Sequence, residues 1–141
     1  MSQSNVDRYR AWAEDFIACQ NDSDWQGWIS RTSEGWDPEI EWDASELQLP
    51  DVGRYEGLQA AQQFWRDWLA AWETLVFDYE LLDAGDKVVM LLEQRMRGRA
   101  SGVEVSLGKY AHVGTFRDGL LVRWKAYMSQ TEALKAVGLP G

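Results

Sequence analysis

Apolar residues recur at helical spacing in several stretches of the chain and alternate with polar residues in others. Near the N-terminus Val6, Tyr9, Ala13, Phe16, Ile17 and Gln20 keep to one face, which predicts a helix to about residue 20. Ser4 stands where it caps that helix, and Asp7 lies in the first turn. Asn21, Asp22 and Ser23 interrupt the pattern and cap a short second helix carrying Trp25, Trp28 and Ile29. After the loop TSEGWDPE, Ile40 and Trp42 alternate with Glu41 and Asp43, which predicts a strand from about Glu39 to Ser45. Residues 46–56 read as an ordered loop, with Pro50 and Gly53 setting turns.

The strongest helical stripe starts at Gly57, where Leu58, Ala61, Trp65, Trp68 and Trp72 are spaced 3, 4, 3 and 4. Four strands follow: Leu75 to Asp83, Lys87 to Arg97, Val103 to Phe116, and Leu120 to Met128. Turn residues at Ala84-Gly85-Asp86, Ala100-Ser101-Gly102 and Asp118-Gly119 join them as antiparallel hairpins. Gly108 and Gly114 inside one strand mark bends or bulges, hence strong curvature. A last short helix opens at Ser129, with Glu132 placed for a capping box, and stops at Gly138. Helices followed by a curved sheet wrapped round the long helix make an α+β cone, one domain over residues 1–141. A sheet that curves over one helix leaves a space at its open end, the usual place for a ligand pocket.

Composition narrows the function. With 23 acidic and 14 basic residues the net charge is -9, which repels nucleic acid and anionic membrane surfaces. No apolar run approaches the ~18 residues of a membrane span, and the polar start MSQSNVDRYR is no signal peptide, so a soluble cytoplasmic protein is expected. The single cysteine, Cys19, permits neither an internal disulfide nor a thiolate cluster, and its helical setting suits a small buried side chain. Nine tryptophans are many for this length, and most must line a core, a cavity or an interface.

The candidate chemistry is one carboxylate and one imidazole. Asp43 lies on the first strand, and His112, the only histidine, lies on the long late strand. Strand alternation groups His112 with Tyr110, Gly114 and Phe116, and on neighbouring strands with Met90, Leu92, Gln94, Met96, Trp124, Ala126 and Met128. Trp65 and Trp68 of the long helix would supply the pocket floor. Such a wall suits a small hydrophobic molecule with one carbonyl or hydroxyl and calls for no metal and no cofactor. In it Asp43 would take a proton next to a carbonyl while His112 or Tyr110 donates to the oxygen. Each residue also has a plainer reading. A histidine on a strand can be a satisfied interior group, and an aspartate at a strand end can cap the next loop or pair with Arg54. The tryptophan stripe can be plain core, and Arg95, Arg97 and Arg99 a charged row facing solvent or a subunit. On the convex face Val103, Val105, Leu107, Ala111 and Val113 would form a row too apolar to leave wet, so a homodimer packed through the sheet is expected.

The order of elements, with YEGLQAAQQFW, GDKVVMLLEQRMRGRASGVEV and AHVGTFRDGLLVRWKAYMSQTEALKAVGL, resembles the SnoaL-like branch of the nuclear transport factor 2-like (NTF2-like) superfamily. The resemblance implies the cone fold, and it is specific for fold rather than for activity. Set against the ketosteroid isomerase members, Asp43 falls at the general base and His112 at the oxyanion-binding acid, four residues before the aromatic Phe116. Two oxygen donors of those enzymes are absent, because Phe16 and Trp65 stand at their tyrosine positions. The Asp-Arg-Asp relay of the epoxide hydrolases, the late-strand aspartate of the aldol cyclases and the several histidines of the dehydratases are also missing. Two readings follow: a cofactor-free acid/base enzyme of isomerase, cyclase or lyase type, or a non-catalytic ligand-binding or dimerisation module.

Overall fold

A computed structural model describes residues 4–22, 24–47 and 53–140. Ser23 and Pro50, expected as a cap and a turn, lie outside the described residues. The first helix, α1 (Asn5–Asp22), opens where Ser4 Oγ accepts the Asp7 N–H at 3.1 Å. It buries Tyr9, Ala13, Phe16 and Cys19, whereas Ile17 stays 40% exposed one position off that stripe. It runs through Asn21 and Asp22, and the cap of α2 (Trp25–Ser33) is Asp24, which accepts the Gly27 N–H at 3.2 Å. Cys19 is buried beside the Asp15–Arg31 ion pair, its Sγ accepting from Arg31 at 2.9 Å.

The remaining elements are β1 (Trp36–Asp43), a 3-10 turn (Ser45–Leu47), β2 (Arg54–Glu56), α3 (Leu58–Ala71), β3 (Trp72–Ala84), β4 (Lys87–Gly98), β5 (Glu104–Arg117), β6 (Leu120–Tyr127) and α4 (Gln130–Ala136). Their six strands form one open mixed sheet in the order β2-β1-β6-β5-β4-β3, antiparallel except for β1 beside β6. With the four helices of the described residues this is the expected α+β cone. The parallel pairing draws β1 out to Trp36, opposite Leu121, ahead of the expected Glu39. Part of the expected loop is instead β2, which pairs with the end of β1. Trp72 opens β3 with extended backbone and so leaves the helical stripe.

One bulge decides which face the late strands show. Gln94 pairs with Gly108 but Arg95 with Ser106, so Leu107 is an extra residue, and Gly108 takes the left-handed φ of +66° that glycine tolerates. The alternation therefore slips. Val105 sits opposite the buried Met96 and packs with Leu107 against the main core, not on the convex face. Ala111 and Val113 do point outward, but with Val89 they lie under α4, whose Ala133 and Leu134 cover them. Of the apolar row expected to drive dimerisation, Val103 alone is left in the open, at 58% exposure. The Ser129 hydroxyl caps α4 by accepting the Glu132 N–H at 3.2 Å.

Candidate functional site

Between α1, α2 and α3 and the concave face of the sheet lies a cavity of about 90 Å³. That is more than a water molecule needs and enough for several heavy atoms. Seven of the nine tryptophans line it: Trp12, Trp28, Trp36, Trp42, Trp65, Trp68 and Trp124. Trp42 and Trp124, paired in the parallel register, stack at 4.3 Å and 9°. Among the described residues no charged side chain lines the cavity.

The polar seam of this wall comes from two adjacent strands. Tyr110 and His112 are two residues apart on β5, and Gln94 reaches them from β4. The Tyr110 hydroxyl donates to Gln94 Oε1, and His112 Nε2 lies 3.2 Å from the same hydroxyl oxygen. Since Tyr110 spends its proton on Gln94, the network assigns the proton of the second bond to His112 Nε2. Nδ1 then keeps its lone pair and has no partner among the described residues. Burial drives the His112 pKa down to about 3, so the ring is neutral at physiological pH. Burial likewise lifts the Tyr110 phenol well above its usual range, with Tyr9 adding to the effect.

Buried polar atoms without partners gather at this cavity. Thr32 Oγ1 and the indole Nε1 atoms of Trp36, Trp42 and Trp65 all belong to lining residues and find no partner among the described residues. Each such orphan costs about 1–3 kcal/mol, a cost carried here by α2, α3 and β1 together. Among the described residues no three His, Cys, Asp or Glu side chains come together as metal ligands.

Of the residues singled out in the sequence, His112, Phe16, Trp65, Trp68, Met90, Leu92, Gln94, Tyr110 and Trp124 line the cavity. Ala126 does not: it is wholly buried against His112, its register partner across the strands. Met128 lies past the end of β6 and is 37% exposed. Asp43 is also outside the lining. On β1 its neighbour Trp42 takes the inward position, so Asp43 points to the other face, in register with Arg54 and Lys125. Its Oδ1 accepts from the Ser45 N–H at 3.0 Å and the Ser45 hydroxyl at 2.6 Å, and Oδ2 pairs with Arg54 at 3.3 Å. Burial alone would raise its pKa. The Ser45 hydrogen bonds, Arg54 and Lys125 outweigh that and hold the carboxyl below the usual range. Asp43 is a strand-end cap, and the structure does not bring it to His112 across the cavity.

A family of SnoaL-like domains matches residues 13–124. The chain belongs to it. Among solved structures, an NTF2-like protein of unknown function from Burkholderia pseudomallei K96243 superposes with a TM-score of 0.72 at 18% identity, over 96% of this chain and 99% of that one. A chain from Jannaschia sp. CCS1, provisionally named a SnoaL-like polyketide cyclase, gives 0.64 at 16% identity, over 100% and 99%. A protein with a ketosteroid isomerase-like fold from Catenulispora acidiphila DSM 44928, in complex with trimethylamine, gives 0.60 at 13% identity, over 79% and 83%. These likenesses bear on fold alone. No curated protein matches the sequence.

This SnoaL-like cavity also contains residues that the sequence reading passed over. Tyr9 and Thr32 enter from α1 and α2, and Trp36 and Trp42 from β1. The signal for Trp42 was present: Ile40 and Trp42 alternate with Glu41 and Asp43, so an inward Trp42 requires an outward Asp43.

Proposed function

We propose that this SnoaL-like protein binds a small, uncharged, hydrophobic carbonyl compound in the tryptophan-lined cavity. There His112 moves a proton on it, in a cofactor-free reaction of isomerase, cyclase or lyase type. The observation that carries the reading is the His112–Tyr110–Gln94 chain, set in a wall to which no described residue brings a charged side chain. A wall of that kind favours neutral ligands, because an unpaired ion would lose its hydration without compensation.

The role first expected of Asp43 passes to His112 Nδ1. A dry site disfavours a lone imidazolium, which is why the resting ring is neutral. Proton transfer from a carbon next to a carbonyl forms the imidazolium and an enolate together. Their mutual attraction in a low-dielectric site offsets much of the desolvation cost of each. Tyr110, accepting from Nε2–H, holds the ring in the tautomer that leaves Nδ1 free. The low basicity of His112 favours the second reading, a binding module without turnover.

One measurement separates the two readings. Acetophenone in D₂O with catalytic protein should lose its methyl proton signals faster than in buffer. The His112→Phe variant should cut that exchange on the order of 10²-fold or more. Binding without exchange would leave the binding module. A homodimer also belongs to this proposal; its exposed apolar contacts would be Val103 and Val76 of β3, and light scattering at micromolar concentration decides it.

A further inference from the structure

The polar seam on β4 and β5 has a counterpart on the opposite wall. Tyr9 is buried on α1 with its ring on the cavity, and its hydroxyl oxygen accepts the Trp124 indole N–H at 3.0 Å. A phenol oxygen that accepts still has its own proton to give, and that proton has no acceptor among the described residues. The same Trp124 lies against His112, ring centroid to ring centroid 4.5 Å. Along one indole, then, stand a hydroxyl with a free donor and an imidazole with a free acceptor. We infer that Tyr9 holds the carbonyl oxygen of the ligand, and that the ligand is a neutral aryl ketone whose acidic carbon faces His112.

Three features lead to that class. The free donor of Tyr9 requires an acceptor on the ligand, and a carbonyl oxygen supplies one with no charge to desolvate. The free Nδ1 can take a proton, which the acidic carbon next to a ketone supplies, and that carbon lies two bonds from the carbonyl oxygen. The walls formed by Phe16, Trp42 and Trp65 offer faces and edges to a flat ring, which stacks there better than an aliphatic chain. As the proton passes from carbon to Nδ1, the C–H electron pair becomes the enolate π bond and charge collects on the oxygen held by Tyr9. Reprotonation at carbon reverses each change. Tyr9 is not the position suggested by family resemblance, where Phe16 stands seven residues later.

The inference rests on the cavity being a ligand site, so the test compares acetophenone with ethylbenzene, which has the same ring but no oxygen. Binding is read by tryptophan fluorescence on the full chain and on Tyr9→Phe. Tyr9→Phe should weaken acetophenone about tenfold and change ethylbenzene less than twofold. The infrared carbonyl stretch of bound acetophenone should lie below its value in hexane and return toward that value in Tyr9→Phe. This second readout reports the hydrogen bond itself. Equal weakening of both probes, or a carbonyl stretch that is the same in both proteins, overturns the role of Tyr9 while leaving the cavity reading intact. Failure of both probes to bind the unaltered chain overturns the cavity reading and this inference together.

Discussion

Gly114 lies so close beneath the Tyr9 ring that a Cβ built on it would come 2.9 Å from Tyr9 Cε2, with Leu121 Cδ1 at 3.0 Å. The absence of a side chain on β5 is what lets α1 settle onto the sheet and carry the Tyr9 hydroxyl to Trp124. Gly114→Ala should therefore destabilise the fold by about 1–3 kcal/mol and displace Tyr9. Chemical denaturation measures the first effect. The second predicts a weaker preference for acetophenone over ethylbenzene, and an unchanged preference would show that Tyr9 does not set it.

The pH dependence of stability should carry the mark of the only histidine. His112 has its folded pKa depressed from 6.5 to about 3 by burial. Between those values the unfolded chain binds a proton that the folded chain refuses, so stability rises with pH in that window. Seen from the other direction, stability is full above about 6.5 and falls as the solution is acidified toward 3. The slope should reach about 1.4 kcal/mol per pH unit at most. In His112→Phe the decline from pH 6.5 to 4.5 should flatten; urea titrations at stepped pH would show it. An unaltered slope would mean that His112 is as wet as an exposed imidazole.

Asp43→Asn should leave proton exchange on acetophenone unchanged and cost about 1–2 kcal/mol of stability. The Asp43 side chain is only 7% exposed, and its bonds from Ser45 lose the charge that strengthens them. The amide still offers an oxygen to Ser45. Also lost is the ion pair with Arg54, whose side chain is 76% exposed and screened by solvent. Loss of exchange in a variant that still binds acetophenone would return Asp43 to the reaction.

Much of the architecture follows from short-range pattern. Leu58, Ala61, Trp65 and Trp68 mark α3, the turn residues separate the last four strands, and Ser4 and Ser129 cap their helices, because neighbours in sequence decide these features. Alternation likewise groups Gln94, Tyr110 and His112 on one face. Family resemblance adds the cone.

Only the tertiary structure decided which residues meet. Alternation along β1 sets Asp43 on the face opposite Trp42, but only the parallel pairing of β1 with β6, which stacks Trp42 on Trp124, decides that Trp42 faces the cavity and Asp43 does not. The bulge at Gly108 swings Val105 and Leu107 into the core, where strict alternation would leave them outside. Packing of α4 covers Ala111 and Val113, which a strand read alone presents to solvent. Docking of α1 brings the Tyr9 hydroxyl to Trp124, 115 positions away, and with it the donor that faces His112 across one indole. A period along the chain assigns a side chain to a face. Which faces close on one another depends on strand order, register and helix docking, and those are settled by contacts between residues far apart in sequence.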